Sequence, residues 1–211
     1  MPDWTIEEQN KGLVCGVDEA GRGPWVGPVV AAGVVFLTHE VDERLLKGVD
    51  DSKKLSAKKR EFLYDLLIQE ANSGKLMYGI GEASAKEIDE LNILQATFLA
   101  MRRAVEKMQP LPNVALIDGN RLPQNFCCQT ACYIDGDAKS YSIAAASILA
   151  KVYRDHYMQK LAQKYPYYGF EKNAGYGTKE HIYGIKEHGL IEEHRLSYKP
   201  IKQFLESQKL L

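Results

Sequence analysis

No apolar run in this chain approaches the ~20 residues that a membrane-spanning helix needs. The first eight residues, Met1 to Glu8, are acidic and lack an apolar signal-peptide core, so export is not expected and a cytoplasmic location is. Cysteine is scarce. Cys15, Cys127, Cys128 and Cys132 contain no CxxC pair, which argues against a zinc site and leaves them as small buried apolar residues. There is no internal repeat, no low-complexity tract and no long linker. Neither charge dominates: the formal net charge is −1, which by itself disfavours a nucleic-acid partner.

The distribution of charge qualifies that exclusion. Residues 1–137 carry 15 basic and 21 acidic side chains, net −6, whereas residues 138–211 carry 12 basic and 7 acidic, net +5. A basic C-terminal third is able to supply phosphate contacts that the whole-chain charge hides, although solvated lysines on helix faces explain most of those charges equally well. With 211 residues, 45% of them hydrophobic and 26% charged, the chain has the composition of a globular protein able to bury one large core.

Apolar, β-branched runs predict strands over residues 13–18, 29–36, 75–83, 114–117 and 126–134. The first two read as a hairpin, and Cys127-Cys128 fall inside the last. Helical spacing predicts helices over 56–71, 92–108, 140–165 and 178–188, with a short terminal helix near 200–205. The first half of the 140–165 helix is packed with small residues: Ala144, Ala145, Ala146, Ser147 and Ala150. Strands followed by helices predict an α/β mixed sheet flanked by helices.

Residues 16–24, Gly16-Val17-Asp18-Glu19-Ala20-Gly21-Arg22-Gly23-Pro24, carry the strongest chemical signal. A buried strand delivers two adjacent carboxylates, and a Gly-Arg-Gly turn follows at once. Neighbours on a regular strand point to opposite faces, so Asp18 and Glu19 converge only if the strand bends or ends there. Gly21 and Gly23 permit such a bend and let backbone N–H groups approach a phosphate. Two further strands end in acids, at Asp118-Gly119 and at Asp135-Gly136-Asp137. Acids ending adjacent strands, ~4.8 Å apart, are placed to share one or two cations. Any one of these acidic strand ends is explained as a turn. All three after apolar strands are harder to explain that way, and the spacing does not choose between Asp135 and Asp137.

The stretch 16–24 resembles the first motif of the bacterial ribonuclease HII family. Asp51-Ser52-Lys53-Lys54-Leu55-Ser56, Glu87 to Leu94, and Leu116-Ile117-Asp118-Gly119-Asn120 resemble its next blocks. So do Gly136-Asp137 with Ser142 to Asp155, Gly175-Tyr176-Gly177-Thr178, and His194-Arg195-Leu196-Ser197-Tyr198. The likeness runs in order from about residue 12 to about residue 200. It implies a ribonuclease H-like core over residues 1–165 and a small helical C-terminal extension over 166–211 that packs on the core and helps bind duplex. It implies Asp18, Glu19, Asp118 and Asp137 as catalytic acids that hold Mg²⁺ or Mn²⁺, two ions during catalysis, with Asp135 left as a turn or surface acid. It further implies that Gly21, Arg22 and Gly23 meet the ribonucleotide 2′-hydroxyl and its phosphate, and that Tyr176 stacks on the next sugar.

The activity so implied is attack of an activated water on the phosphorus 5′ of a ribonucleotide in duplex DNA or an RNA–DNA hybrid, leaving 3′-hydroxyl and 5′-phosphate ends. Two rivals stand beside it. The sister ribonuclease HIII family carries an extra N-terminal domain and a different turn after the first acids. A catalytically silent duplex-binding protein would have little reason to retain four acids. Lys53 and Lys54 are candidates for phosphate contact, and Lys151 and Asp155 for an i,i+4 ion pair. Arg154 is structural or functional, while His194, Arg195 and Ser197 either touch DNA backbone or steady the terminal helix. The other histidines have no ligand spacing. Tyr165, Tyr167, Tyr168 and Phe170 are expected to pack the C-terminal helices on the sheet. Residues 201–208 do not fit the sliding-clamp pattern, so no clamp contact through that tail is expected, and a monomer is.

Overall fold

A computed structural model describes residues 2–49 and 55–208; Lys53 and Lys54 lie outside the described residues. The described elements run α1 (Thr5–Glu8), β1 (Val14–Ala20), β2 (Val29–Phe36), α2 (Glu43–Gly48), α3 (Ala57–Asn72), β3 (Leu76–Ala83), α4 (Ala85–Leu91) and α5 (Ile93–Glu106). They continue with β4 (Val114–Asp118), β5 (Gln129–Tyr133), α6 (Tyr141–Lys164), α7 (Phe170–Asn173), α8 (Lys179–His188) and α9 (Lys199–Gln208). The expected mixed sheet with flanking helices is what forms. Its order is β3-β2-β1-β4-β5, antiparallel among the first three strands and parallel from β1 to β4 to β5.

The alternation along β2 explains how the two helical layers attach. Val30, Ala32 and Val34 pack with Leu63 and Leu67 of α3 and with the Ala144–Ala146 face of α6. Val29, Ala31 and Val35, one residue out of phase, pack with Ala96, Ala100, Met101 and Val105 of α5. A strand covered on both faces reads as one continuous apolar run, which is why β2 showed no period-two pattern.

The small residues at the start of α6 have a partner on the sheet. A Cβ on Gly16 of β1 would fall 2.2 Å from the Ile143 nitrogen, so helix and strand backbones approach here as closely as glycine allows. Ser140 caps this helix. Glu7 of α1 reaches the same end and accepts from the Ser142 amide at 2.9 Å and from the Ser140 and Ser142 hydroxyls.

Several expectations need correction. β1 and β2 are not joined by a tight hairpin turn; an eight-residue connection, 21–28, separates them. β5 begins at Gln129, so Cys127 and Cys128 precede it and are only half-buried, and Cys132 on this edge strand is exposed. Cys15 is buried as expected. The sequence reading places no element between 83 and 92, yet Ser84 and Glu87 form a capping box that starts a separate helix, α4. Asn92, at φ 71°, then ends α4 and caps α5 through its side chain. Tyr168 and Phe170 are buried, but against Val26, Met158, Leu161 and Ile185 rather than against the sheet, and Tyr167 is exposed.

Candidate active site

β1 and β4 lie side by side and parallel, with Val17 opposite Ile117. One step on in that register Asp18 and Asp118 face each other on adjacent strands, a spacing of about 4.8 Å between strands. Both point to the α6 side. Gly16, two residues before Asp18, abuts the start of α6, and Leu116, two before Asp118, packs with Ile143. Asp18 is only 4% exposed. Burial, then the charges of Glu19 and Asp118, hold its carboxyl well above the ordinary carboxylate range, against hydrogen bonds from the Glu19 amide (2.7 Å) and the Ser147 side chain. Carboxylates this crowded lack only a positive charge.

β1 does not end at Asp18. It pairs with β2 through Ala20, so Glu19 keeps its alternate direction and faces the α5 side. There it shares a groove with Asp118, Asn120 and Arg121, and its Oε1 lies 3.2 Å from Arg22 Nη1. Asp118 accepts from the Gly136 amide at 2.8 Å. Asp137, 6% exposed, follows in the 3-10 turn Gly136–Ala138 that leads into α6. Asp135, exposed at φ 53°, caps that turn, the turn-acid role the resemblance gave it. Among the described residues, no three His, Cys, Asp or Glu side chains stand as a group that could hold a metal ion. The donor chemistry nevertheless suits a hard divalent cation, since the side chains of Asp18, Glu19, Asp118 and Asp137 all offer carboxylate oxygens. The Glu19–Arg22 pair, with Arg22 half exposed, is of a kind worth about 1 kcal/mol or less and easily exchanged for a cation.

The 21–28 connection is built differently. Two buried arginines fill it from beneath. Arg195 donates to the carbonyls of Gly21 (2.6 Å), Arg22 (3.0 Å) and Gly27 (2.8 Å). Arg154 donates to Val26 (3.0 Å), Pro28 (3.1 Å) and, across the gap, Ala174 (3.1 Å). Burial, then the neighbouring charge of Arg195, lowers Arg154 to about 10, so it stays charged at neutral pH. Gly21 has φ 93°, and a Cβ there would fall 2.0 Å from Arg154 Nε. In a trans peptide the C=O and N–H point opposite ways. Drawing the Gly21 and Arg22 carbonyls inward therefore turns the N–H groups of Arg22 and Gly23 outward. They face a groove of about 540 Å³ lined by Glu19, Gly21, Arg22, Gly23, Lys151, Arg154 and Tyr176. The half-exposed Tyr176 ring closes its rim, with Cε1 3.2 Å from where a Gly23 Cβ would sit.

Comparison with known proteins fits this geometry. The family model described as Ribonuclease HII matches residues 15–201. Curated relatives named Ribonuclease HII include one from Rhodospirillum rubrum, 52% identical over 97% of this chain and 92% of its own length. Another, from Paramagnetospirillum magneticum, is 49% identical over 97% of this chain and 99% of its own. The chain belongs to the ribonuclease HII family. Membership makes it a ribonuclease H, of a family that cleaves RNA in RNA–DNA hybrids. The ribonuclease H2 of Pyrococcus horikoshii superposes with a TM-score of 0.74 at 29% identity, over 94% of this chain and 99% of that one. A ribonuclease HII from Archaeoglobus fulgidus, solved as a complex with PCNA, gives 0.68 at 26% identity, over 89% and 96%. A ribonuclease HIII solved with Mn²⁺ shares the fold, at a TM-score of 0.62 over 94% of this chain and 71% of that one.

Against this ribonuclease HII framework, Asp18 and Asp118 come together, Glu19 and Asp137 flank them, and Gly21–Gly23 and Tyr176 meet across one groove. Lys151 and Asp155 form the expected ion pair. Sequence reasoning missed Ser147 as the partner of Asp18, although it had noted Ser147 on the small-residue face of α6. It also missed that Arg154 and Arg195 both grip main-chain carbonyls, and that Asp89 anchors residues 196–197 by accepting both amides at 2.8 Å. Nothing local marks those contacts, because the partners, Ala174 apart, lie more than a hundred residues away in the chain.

Proposed function

We propose that this chain is a divalent-metal-dependent endoribonuclease that hydrolyses the phosphodiester 5′ of a ribonucleotide embedded in duplex DNA, and the RNA strand of RNA–DNA hybrids, leaving 3′-hydroxyl and 5′-phosphate ends. The observation that carries this reading is the placement of a crowded carboxylate pair, Asp18 and Asp118, directly beside a turn whose N–H groups are aimed outward. Asp18, Glu19, Asp118 and Asp137 would hold Mg²⁺ or Mn²⁺. Ions held there would supply an activated water and neutralise charge on the leaving oxygen.

The remaining work falls to the chain itself. The outward N–H groups of Arg22 and Gly23 bind the phosphate and the ribose 2′-hydroxyl, the group that separates RNA from DNA. Arg195 and Arg154 keep those donors fixed, so that little reorganisation is needed when substrate arrives. Tyr176, lying against Gly23, stacks on the following sugar and rejects a 2′-substituent there. Residues 1–165 form the catalytic core and 166–211 an extension on the duplex-binding side. No sliding-clamp contact through residues 201–208 belongs to this reading; in α9 Ile201 is buried and Phe204 and Leu205 pack against the same cluster.

Incision of a duplex containing one ribonucleotide tests the reading, run with Mg²⁺ or Mn²⁺ beside an all-DNA duplex and a long hybrid. The expected result is a single cut 5′ of the ribonucleotide, lost with EDTA and absent from all-DNA. Duplex binding without any cut would instead favour the silent binding protein.

A further inference from the structure

Two histidines that the proposed chemistry does not use lie buried behind the Tyr176 loop. His181 of α8 is 0% exposed and His194 is 1% exposed, with their Nε2 atoms 3.1 Å apart. The protons on this pair are fixed by their outer partners. His194 Nδ1 lies 2.9 Å from the Ile191 amide, which only donates, and 3.3 Å from the Ile191 carbonyl, which only accepts; the shorter contact makes that nitrogen the acceptor, without a hydrogen. The hydrogen of His194 is therefore on Nε2 and is given to His181 Nε2. His181 Nδ1 then carries its own hydrogen, and it sits 3.0 Å from the Tyr176 carbonyl, which only accepts. Every ring nitrogen is satisfied by one tautomer of each ring, and both rings are neutral.

The chain of bonds from the Ile191 amide to the Tyr176 carbonyl joins the two segments that flank the ribonucleotide-binding turn. On one side, residues 193–195 pair with residues 25–27: Gly27 N donates to the Glu193 carbonyl at 2.9 Å and Arg195 N to the Trp25 carbonyl at 2.8 Å. On the other, Trp25 N donates to the Gly175 carbonyl at 2.8 Å. The geometry points to the His181–His194 pair as a proton-ordered strut, a pair of positioning residues that fix the Tyr176 backbone and so set how its ring lies over Gly23. This rests on the proposed role of Tyr176 and extends it: the discrimination made by the Tyr176 ring depends on two histidines that never touch substrate.

A further proton breaks the order of the strut. One added at His194 Nδ1 would give up the 2.9 Å bond from the Ile191 N–H for the longer contact with the Ile191 carbonyl, and one added at His181 Nε2 would confront the His194 N–H. The groups packed around the pair are Trp25, Tyr168 and Phe170. Apart from the rings themselves, the ionisable one among them is the Tyr168 hydroxyl, which donates to the Gly189 carbonyl at 3.1 Å. Arg195, next in sequence to His194, turns its guanidinium to Gly21 and Gly27. Burial, then the neighbouring ring of His181, lowers His194 to about 4, and burial also lowers His181. A depressed histidine favours the neutral fold. The strut is intact above the ordinary histidine pKa of about 6.5 and is lost as pH falls towards about 4.

The test begins with ¹⁵N-histidine NMR of the wild-type protein at pH 7. The expected spectrum has one ring protonated only at Nδ1 and one only at Nε2; a charged ring, or the same tautomer on both, overturns the strut. The second arm compares His181→Ala with His181→Asn, whose side-chain amide restores a donor near the Nδ1 position. The readout is the preference for deoxyribose over ribose in the sugar following the ribonucleotide. His181→Ala is expected to cut that preference about fivefold with KM rising more than kcat falls, and His181→Asn to recover most of it. A folded His181→Ala with the wild-type preference overturns the inference, provided that Tyr176→Ala abolishes it. Should Tyr176→Ala also keep the preference, the Tyr176 reading fails instead, and the NMR tautomers alone decide the strut. They likewise decide it should His181→Ala not fold.

Discussion

The acid end of the site and the turn beside it are built on opposite electrostatic plans. At the acid end, the buried Asp18 faces the half-buried Asp118, and Asp18 is pushed well above its ordinary range by burial and by the charges of Glu19 and Asp118. In the turn, the buried charges are two guanidiniums, each bonded to three main-chain carbonyls. One region is crowded with like charge and the other holds its charges against acceptors. The difference separates what must be recruited from what must be rigid. A cation can supply the missing charge at the first, whereas the second has to present its N–H groups in one fixed direction.

The comparison can be broken at either end. Asp137→Asn is expected to have the largest effect: incision falls about 10³-fold, a loss of roughly 4 kcal/mol in transition-state stabilisation. Its melting temperature stays within a degree or two of wild type, as a combined assay and thermal melt would record. Arg195→Met attacks the turn. It strips donors from the buried Gly27 carbonyl and from the partly buried carbonyls of Gly21 and Arg22, and is expected to cost about 3 kcal/mol in urea unfolding, with a broad loss of activity. A loss below about 0.5 kcal/mol would mean that the turn does not need its arginine.

Smaller effects sharpen the contrast. A divalent cation at 100 times its Kd is expected to stabilise the wild type by about 2.7 kcal/mol and to raise its melting temperature. Asp18→Asn should abolish that increment while itself melting no lower than the metal-free wild type, because it relieves like-charge crowding. Smallest is Tyr176→Ala, expected to lower kcat/KM on a one-ribonucleotide duplex about tenfold, near 1.4 kcal/mol, with stability changed by less than about 0.5 kcal/mol. A melting temperature lowered as far as that of Arg195→Met would recast Tyr176 as structural.

Much of this arrangement was legible in the chain. The apolar runs ending in Asp18 and Asp118 were visible because a strand buried on both faces needs continuous β-branched and small residues, and acids stand out at its end. The small face of α6 signalled close packing, and Gly16 is the strand residue that meets it. Less legible was the direction of side chains. Asp18 and Glu19 seemed to require a bend in order to converge, yet β2 pairs past both of them, so each keeps its own face of the sheet. Asp135 and Asp137 were separable only by resemblance, until the left-handed backbone of Asp135 made it the cap of the turn and left Asp137 buried beyond it. The supports of the turn were illegible for a different reason. Arg195 lies more than 160 residues from Gly21 and Gly27, and His181 lies 13 from His194, so no local period or spacing marks either contact.

The most direct measurement of the central claim, that metal recruitment and ribonucleotide recognition are housed in separable regions, is equilibrium binding in EDTA by fluorescence anisotropy. The quantity is the ratio of Kd for an all-DNA duplex to Kd for the same duplex holding one ribonucleotide, in the wild type, Asp137→Asn and Gly21→Ala, whose Cβ would collide with Arg154 Nε and displace the turn. The account predicts a ratio above one that is equal in wild type and Asp137→Asn and falls towards one in Gly21→Ala. A ratio lost in Asp137→Asn and preserved in Gly21→Ala would contradict it.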